Sequence, residues 1–378
     1  MHAAMFYSPR VLRFNYGPAH PFQVERLADV VRLVTACGLL PHEGSPIEPR
    51  PCTRTVLERF HVPSYVEALE MTSTEGLRES PAFGLGSNDN PVFPGLWLYC
   101  LWIAGGSLDA ARWLQEGLEE GEARRAFHLA GGLHHAHAGR ASGFCYVNDG
   151  VLAIQELVRA GHRILYVDVD AHHGDGVQEA FYDTDRVLTV SIHQDGRTLF
   201  PGTGFPNEFG SGAGEGYSVN VPVLPGAGDA DYEFFLNEIL EPLIGLSRPD
   251  VLVTEIGVDA LRDDPLTLLD WTLGGLDRFL QWAAGTGLPW LALGGGGYRR
   301  WNVIRGWSLT WARMIDRELP LDRPLEDGVG RLPEAWPIHL MDEAPPREVC
   351  DREMRMAHLD QVRDYLDTMV FTRICGGD

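Results

Sequence analysis

Two clusters of acids and histidines share one stretch of the chain: His134-His135 in G-G-L-H-H-A, and Asp168, Asp170, His172 and Asp175 in Y-V-D-V-D-A-H-H-G-D-G. Carboxylates and imidazoles are the groups that hold zinc or a related divalent ion in a compact shell of oxygen and nitrogen. A further acid, Asp259 in G-V-D-A, would join Asp170 and His172 as a third protein ligand. Three ligands with an open position is the catalytic pattern, because a water bound there falls to a pKa of about 7 and becomes a nucleophile. The histidine pair would handle the protons, so the combination reads as a single-metal hydrolase centre. The cysteines Cys37, Cys52, Cys100, Cys145, Cys350 and Cys375 are scattered, with no C-x-x-C pair, and offer no structural zinc cage.

The elements that must position these groups are visible as apolar runs. Residues 163–167 read as a buried parallel strand following a helix-like stretch from Gly150 to Ala160. That places Asp168 to Asp175 at the carboxyl end of a central strand, where the loops of an open α/β sheet converge on a ligand. Val251 to Ile256 is a second such run, ending at Asp259. Strands are expected near 164–169, 187–192, 217–223, 250–256 and 289–293, with helices between them. No linker, repeat or low-complexity tract interrupts the 378 residues, so residues 1–378 are read as one α/β domain. Glu318 to Pro346, rich in proline and acids, reads as an irregular surface excursion. Asp351 to Thr368 returns to helical periodicity, and the C-terminal part, 318–378, is expected to pack back on the body.

These strings, with S-G-F-C-Y-V-N-D from Ser142 to Asp149 and G-G-G-G-Y ending at Tyr298, resemble the zinc-dependent histone deacetylase family. The similarity is to its class I branch and to the bacterial acetoin-utilisation deacetylases. It runs from about His20 to about Trp311, and its catalytic motifs follow in family order from 134 to 298. The resemblance implies an arginase/deacetylase-like three-layer fold with a central, mainly parallel sheet flanked by helices. It implies hydrolysis of the amide of N-ε-acetyl (acyl) lysine in proteins, with release of acetate. The implied zinc ligands are Asp170, His172 and Asp259, with iron in place of zinc left open. His134 and His135 match the tandem histidines, with Asp168 behind the first and Asp175 behind the second. A carboxylate on one ring nitrogen fixes the tautomer and raises the basicity of the other. The family makes His135 the general base and acid and His134 an electrostatic partner, a division the residues alone leave open. Tyr298 matches the hydrogen-bond donor to the substrate carbonyl.

The same resemblance implies a substrate channel. Phe144 and Phe200 match paired aromatics around the lysine methylenes, and Gly143 would let the backbone approach the acyl-lysine. Asp89 matches a rim aspartate that grips substrate backbone amides, although N-D-N-P is also ordinary turn chemistry. Leu266 falls where lysine deacetylases carry an apolar residue and polyamine-selective relatives an acid. Potassium is a further implication: one site would use Asp168, Asp170, His172, Ser191 and Ile192, and a second would use main-chain oxygens near Phe181, Thr184, Val187 and Tyr217.

The rest of the composition sets bounds. A net charge of −22 argues against a nucleic-acid surface, which needs a basic stripe to displace counterions. It suits an enzyme meeting basic protein segments around an acylated lysine. The apolar stretch Leu96 to Ala104 is too short to span a bilayer and reads as a buried helix. Met1 to Arg13 lacks the apolar core of a signal peptide, and with no cysteine pairing evident the cytoplasm is expected. Cys145, beside the channel motif, is expected to be a buried, inert thiol. Acyl-lysine proteins are the expected partners, with metabolic enzymes such as acyl-CoA synthetases suggested by the acetoin-utilisation branch. Three alternatives are weighed. A binuclear manganese ureohydrolase has a similar Asp170-Ala171-His172 motif, but Gly257 stands where it needs another carboxylate. An acetylpolyamine amidohydrolase would use the same centre. A non-catalytic acyl-lysine binding module would be expected to lose a ligand, a histidine or the tyrosine, and all are present.

Overall fold

The structure is a computed structural model, described here for residues 2–40, 46–74, 76–319, 342 and 349–375. Most of the expected surface excursion from Glu318 to Pro346 lies outside the described residues. Seven strands form one sheet: β1 (His2–Phe6), β2 (Arg124–His128), β3 (Ile164–Asp168), β4 (Val187–Gln194), β5 (Ser218–Val223), β6 (Val251–Glu255) and β7 (Trp290–Leu293). Their order across the sheet is β1-β2-β7-β6-β3-β4-β5, and every neighbouring pair is parallel.

Alternation along the strands explains the three layers. Ile164 and Tyr166 of β3, Val251 and Val253 of β6, and Leu291 and Leu293 of β7 enter one core. Leu165 and Val167, Leu252, and Trp290 and Ala292 enter the other. Both faces are dry, which is why these strands read as continuous apolar runs rather than as polar/apolar alternation. Helices α2 (Leu96–Glu119), α3 (Asp149–Arg159) and α4 (Asp175–Ala180) supply residues to the first core. Helices α1 (Arg26–Ala36), α5 (Leu273–Gly285) and α6 (Arg300–Met314) supply residues to the second.

The five strands expected from sequence are present, with β4 extended to Gln194. β1 and β2 were not anticipated. Their sequences, H-A-A-M-F and R-R-A-F-H, contain no β-branched residue, so tertiary pairing rather than propensity makes them strands. The buried helix expected at Leu96 to Ala104 runs on to Glu119. No described helix is long and apolar enough to cross a membrane. The expected C-terminal helix is α7 (Arg352–Leu366), and it does pack back: His358 Nε2 reaches Pro222 O of β5 at 2.9 Å, and Arg355 pairs with Asp231 at 3.2 Å.

Candidate active site

The loops leaving the carboxyl ends of β2, β7, β6, β3 and β4, five consecutive strands of the sheet, bring the sequence clusters together. β3 lies inside the sheet, with Asp168 in register with Ser191 of β4 on one side and Glu255 of β6 on the other. Just beyond it, the ligand atoms of Asp170, His172 and Asp259 lie within 4.8 Å of one another, and all three residues are buried. His172 Nδ1 is 3.1 Å from Asp170 Oδ1 and 3.0 Å from Asp259 Oδ2. Although burial opposes a charge on His172, the two carboxylates raise its pKa to about 10, so this point of the fold strongly favours positive charge.

The donor set fits a divalent ion of the zinc type: two hard oxygens and an imidazole nitrogen, converging in a dry setting. At Gly257 and Gly296 the backbone runs too close to the ligands to carry a side chain. A Cβ on Gly257 would stand 2.0 Å from Asp170 Oδ2, and one on Gly296 would stand 2.3 Å from Asp259 Oδ2. The extra carboxylate of a binuclear site is thus missing at Gly257, where a side chain would also collide with Asp170. Backbone donors hold the ligands in place: Gly296 N–H donates to Asp170 Oδ2 at 2.8 Å, and Ala171 N–H donates to Asp259 Oδ1 at 2.8 Å.

The histidine pair stands over this cluster. His134 Nδ1 is 2.8 Å from Asp168 Oδ2, His135 Nδ1 is 2.8 Å from Asp175 Oδ1, and the two Nε2 atoms face each other at 3.0 Å. The two rings nevertheless have opposite electrostatics. Burial disfavours charge on His134, but Asp168 and Asp170 outweigh it and push its pKa well up. Burial and the neighbouring His134 charge push His135 down to about 4. The two rings thus sit in opposite fields, one favouring positive charge on His134 and the other opposing it on His135.

Above them is a pocket of about 230 Å³ lined by Asp89, His135, Gly143, Phe144, His172, Leu199, Phe200, Leu266 and Tyr298. Phe200 packs edge-on to His135 at 5.0 Å between ring centroids, and Phe144 edge-on to Tyr298 at 5.6 Å. Phe144 has φ +67°, a conformation costing a non-glycine residue roughly 1–3 kcal/mol unless its surroundings impose it. Here the surroundings do so. Paired Ser142–Cys145 backbone bonds close the turn, and the Tyr16 hydroxyl donates to Phe144 O at 2.9 Å. Gly143 differs from expectation in its immediate reason. A Cβ there would stand 2.5 Å from the His135 ring and 2.9 Å from Phe200, so the glycine makes room for these rings as well as any ligand. Cys145 is buried, and burial pushes its thiol well above the usual range, in keeping with an inert role.

A model of the histone deacetylase domain matches residues 20–314. The chain belongs to the histone deacetylase family. Histone deacetylase B of Dictyostelium discoideum is 40% identical over 326 residues, covering 85% of this chain and 76% of that protein. Histone deacetylase RPD3 of Saccharomyces cerevisiae is 38% identical over 331 residues, covering 85% and 75%. Both are consistent with a class I-like deacetylase. The crystal structure of an HDAC homolog from Aquifex aeolicus superposes with a TM-score of 0.84 at 30% identity, covering 96% of this chain and 100% of that one. A structure of an HDAC homolog complexed with SAHA gives a TM-score of 0.83 with the same identity and coverage.

Several supports of this deacetylase site carry no signal in the sequence. Asp264 is buried, and its Oδ2 accepts from the backbone N–H of Tyr298 at 2.7 Å and of Arg299 at 3.1 Å, which fixes the Tyr298 backbone. Its Oδ1 accepts from Leu266 N–H at 3.0 Å, so one carboxylate ties two pocket residues. Tyr166 donates its hydroxyl to Asp168 Oδ2 at 2.8 Å from within the strand. Arg26, on α1, donates to Gly295 O at 2.8 Å and to Gly297 O, pinning the glycine run before Tyr298. Apart from Tyr166–Asp168 and Asp264–Leu266, each contact joins residues remote in sequence. Of the residues expected around potassium, Ser191 directs its hydroxyl to His193 Nδ1 at 2.8 Å. In the second set, Phe181 O accepts from Thr184 N–H at 3.4 Å and Tyr217 O from Thr189 N–H at 3.0 Å.

Proposed function

We propose that the protein hydrolyses the amide of N-ε-acetyl-lysine in proteins, releasing acetate and the free lysine. One observation carries this reading: the Asp170–His172–Asp259 cluster and the His134–His135 pair form the floor of a narrow pocket whose wall is aromatic. Phe144 and Phe200 would enclose the lysine methylenes, Asp89 at the rim would hold the substrate backbone, and Leu266 would complete an apolar wall. A zinc or iron(II) ion held by Asp170, His172 and Asp259 would supply Lewis acidity, polarising the carbonyl and lowering the pKa of water. His135, neutral and fixed by Asp175, takes the proton of the attacking water through Nε2. His134, held charged between Asp168 and its neighbour, stabilises negative charge developing beside it. Tyr298, kept protonated by burial and the nearby Asp259 and Asp170, donates its O–H to the carbonyl oxygen as that oxygen becomes an oxyanion. His135 then returns the proton to the leaving amine.

Further parts of this reading rest on the family resemblance. Potassium would bind beside Asp168, Asp170, His172, Ser191 and Ile192, with a second site at the main-chain oxygens of Phe181, Thr184, Val187 and Tyr217. The chain would act as a single domain in the cytoplasm, on the acetoin-utilisation branch, with acylated metabolic enzymes such as acyl-CoA synthetases among its targets. The second reading, acetylpolyamine hydrolysis, needs no change at the floor, but Leu266 on the wall offers a polyamine no counter-charge. Side-by-side kinetics on an acetyl-lysine peptide and on acetylspermidine test the choice. The expected result is a higher kcat/KM on the peptide, whereas a higher value on acetylspermidine would overturn the lysine assignment.

A further inference from the structure

Asp175, the carboxylate behind His135, has a second partner that the reaction does not use. Its Oδ1 accepts from Gly176 N–H at 3.0 Å as well as meeting His135 Nδ1, while its Oδ2 stands 3.3 Å from Nε2 of His137. The other nitrogen of His137, Nδ1, meets the carboxylate of Glu179, one turn further along α4, whose side chain is 58% exposed. Both contacts are donations only when the His137 ring carries two protons. The carboxylate of Asp175 favours that form and outweighs the opposing burial, Glu179 adds to it, and the pKa of His137 rises.

Arg140 competes for the same nitrogen. Its Nη2 lies 3.1 Å from His137 Nε2, and a guanidinium can only donate, so it binds a ring that lacks the Nε2 proton. His137 thus has two exclusive arrangements: charged and bound to Asp175, or neutral and bound by Arg140. These groups line a groove of about 940 Å³ whose wall also carries the acids Asp183 and Glu208, and Phe200 borders both this groove and the acyl pocket. Solvent therefore reaches His137 from the groove, on the far side of the pocket wall. Its backbone is held independently, with His61 Nδ1 3.1 Å from His137 O.

We propose that His137 is a positioning residue for the proton-transfer pair: it grips the second oxygen of Asp175 and so fixes that carboxylate on His135. The inference rests on His135 being the base. A carboxylate held at both oxygens keeps one orientation toward the ring, so losing the His137 contact leaves Asp175 free to turn away from His135.

The test is kcat and KM on an acetyl-lysine peptide, measured separately, using zinc-loaded full-length protein. His137→Leu is expected to lower kcat roughly 3–10-fold with KM within about twofold. His137→Lys, which restores a donor to Asp175, is expected to return kcat toward wild type. Glu179→Gln, an exposed change that does not threaten folding and removes the other anchor of the His137 ring, is expected to lower kcat by less. It decides the matter together with His137→Lys if the leucine variant does not fold. A kcat within about 1.5-fold of wild type in folded His137→Leu, or in Glu179→Gln where the leucine variant does not fold, overturns the proposal. If Asp175→Asn abolishes turnover while those kcat values coincide with wild type, the proton-pair reading stands and this inference alone fails. An inactive wild-type enzyme overturns both.

Discussion

The floor and the wall of the pocket are built on different principles. On the floor, Asp168, Asp170, His134, His172 and Asp259 are all buried, and each ionisable group is held by another charged group or by backbone donors. On the wall, Phe144 and Leu266 are half-buried, Asp89 is exposed, and Phe200 is 45% exposed. A dry floor keeps electrostatic interactions strong and fixes charge placement before substrate arrives. An accessible wall can contribute to substrate binding through apolar contact. Changes to the floor should therefore fall on kcat and changes to the wall on KM.

The largest effect that tests this contrast is loss of a floor ligand. Asp259→Asn is expected to lower kcat/KM by roughly 10³-fold or more with the metal content reduced, because the Lewis acid supplies several kcal/mol of transition-state stabilisation. Metal analysis beside steady-state kinetics checks it, and retention of both metal and rate would remove Asp259 from the centre. Next is Tyr298→Phe, where loss of one oxyanion donor costs about 2.7–4 kcal/mol, or roughly 10²–10³ in kcat, in a protein whose melting temperature is little changed. Tyr298 lies between floor and wall, so a pure KM effect would reassign it to the wall. Phe200→Ala should raise KM by about tenfold with kcat changed much less, corresponding to about 1.4 kcal/mol of lost apolar contact. A kcat effect as large as that of Tyr298→Phe would mean the wall is part of the chemistry.

The last effect is on stability rather than on turnover. Burial pushes His61 and His173 down to about 4, and His128 and His193 to about 3, so the folded protein holds all four neutral. Unfolded histidines titrate near 6.5, so below that pH the unfolded state binds more protons and is favoured. The contribution of the neutral rings is thus fully present above about 6.5 and lost as pH falls toward 3–4, by about 1.4 kcal/mol per histidine per pH unit. Between pH 7 and 4.5 the urea midpoint of His128→Asn should fall less on acidification than that of the wild type, and an unchanged slope would show that this ring is not buried neutral.

The contrast between floor and wall also separates what could be read in the sequence from what could not. The ligands and the histidine pair were visible because metal and proton chemistry demand particular residue types at the ends of apolar strands. The strands β3 and β6 were visible because burial on both faces leaves a continuous apolar run. β1 and β2 were missed for the converse reason, since arginines and alanines carry no strand signal and the pairing is non-local. Asp264 and Arg26 act through backbone groups far away in sequence, which no local pattern reports. The wall residues Phe144 and Phe200 could be told from core aromatics only through resemblance. Gly143 was singled out for the approach of an acyl-lysine, whereas its crowding by His135 and Phe200 is a tertiary fact.

The most direct test of the account is acetate release from an acetyl-lysine peptide by the purified protein, measured before chelation, after it, and after stoichiometric zinc is restored. The account predicts release that chelation abolishes and zinc recovers. Release that survives complete removal of metal, or none from protein carrying one zinc per chain, would contradict it.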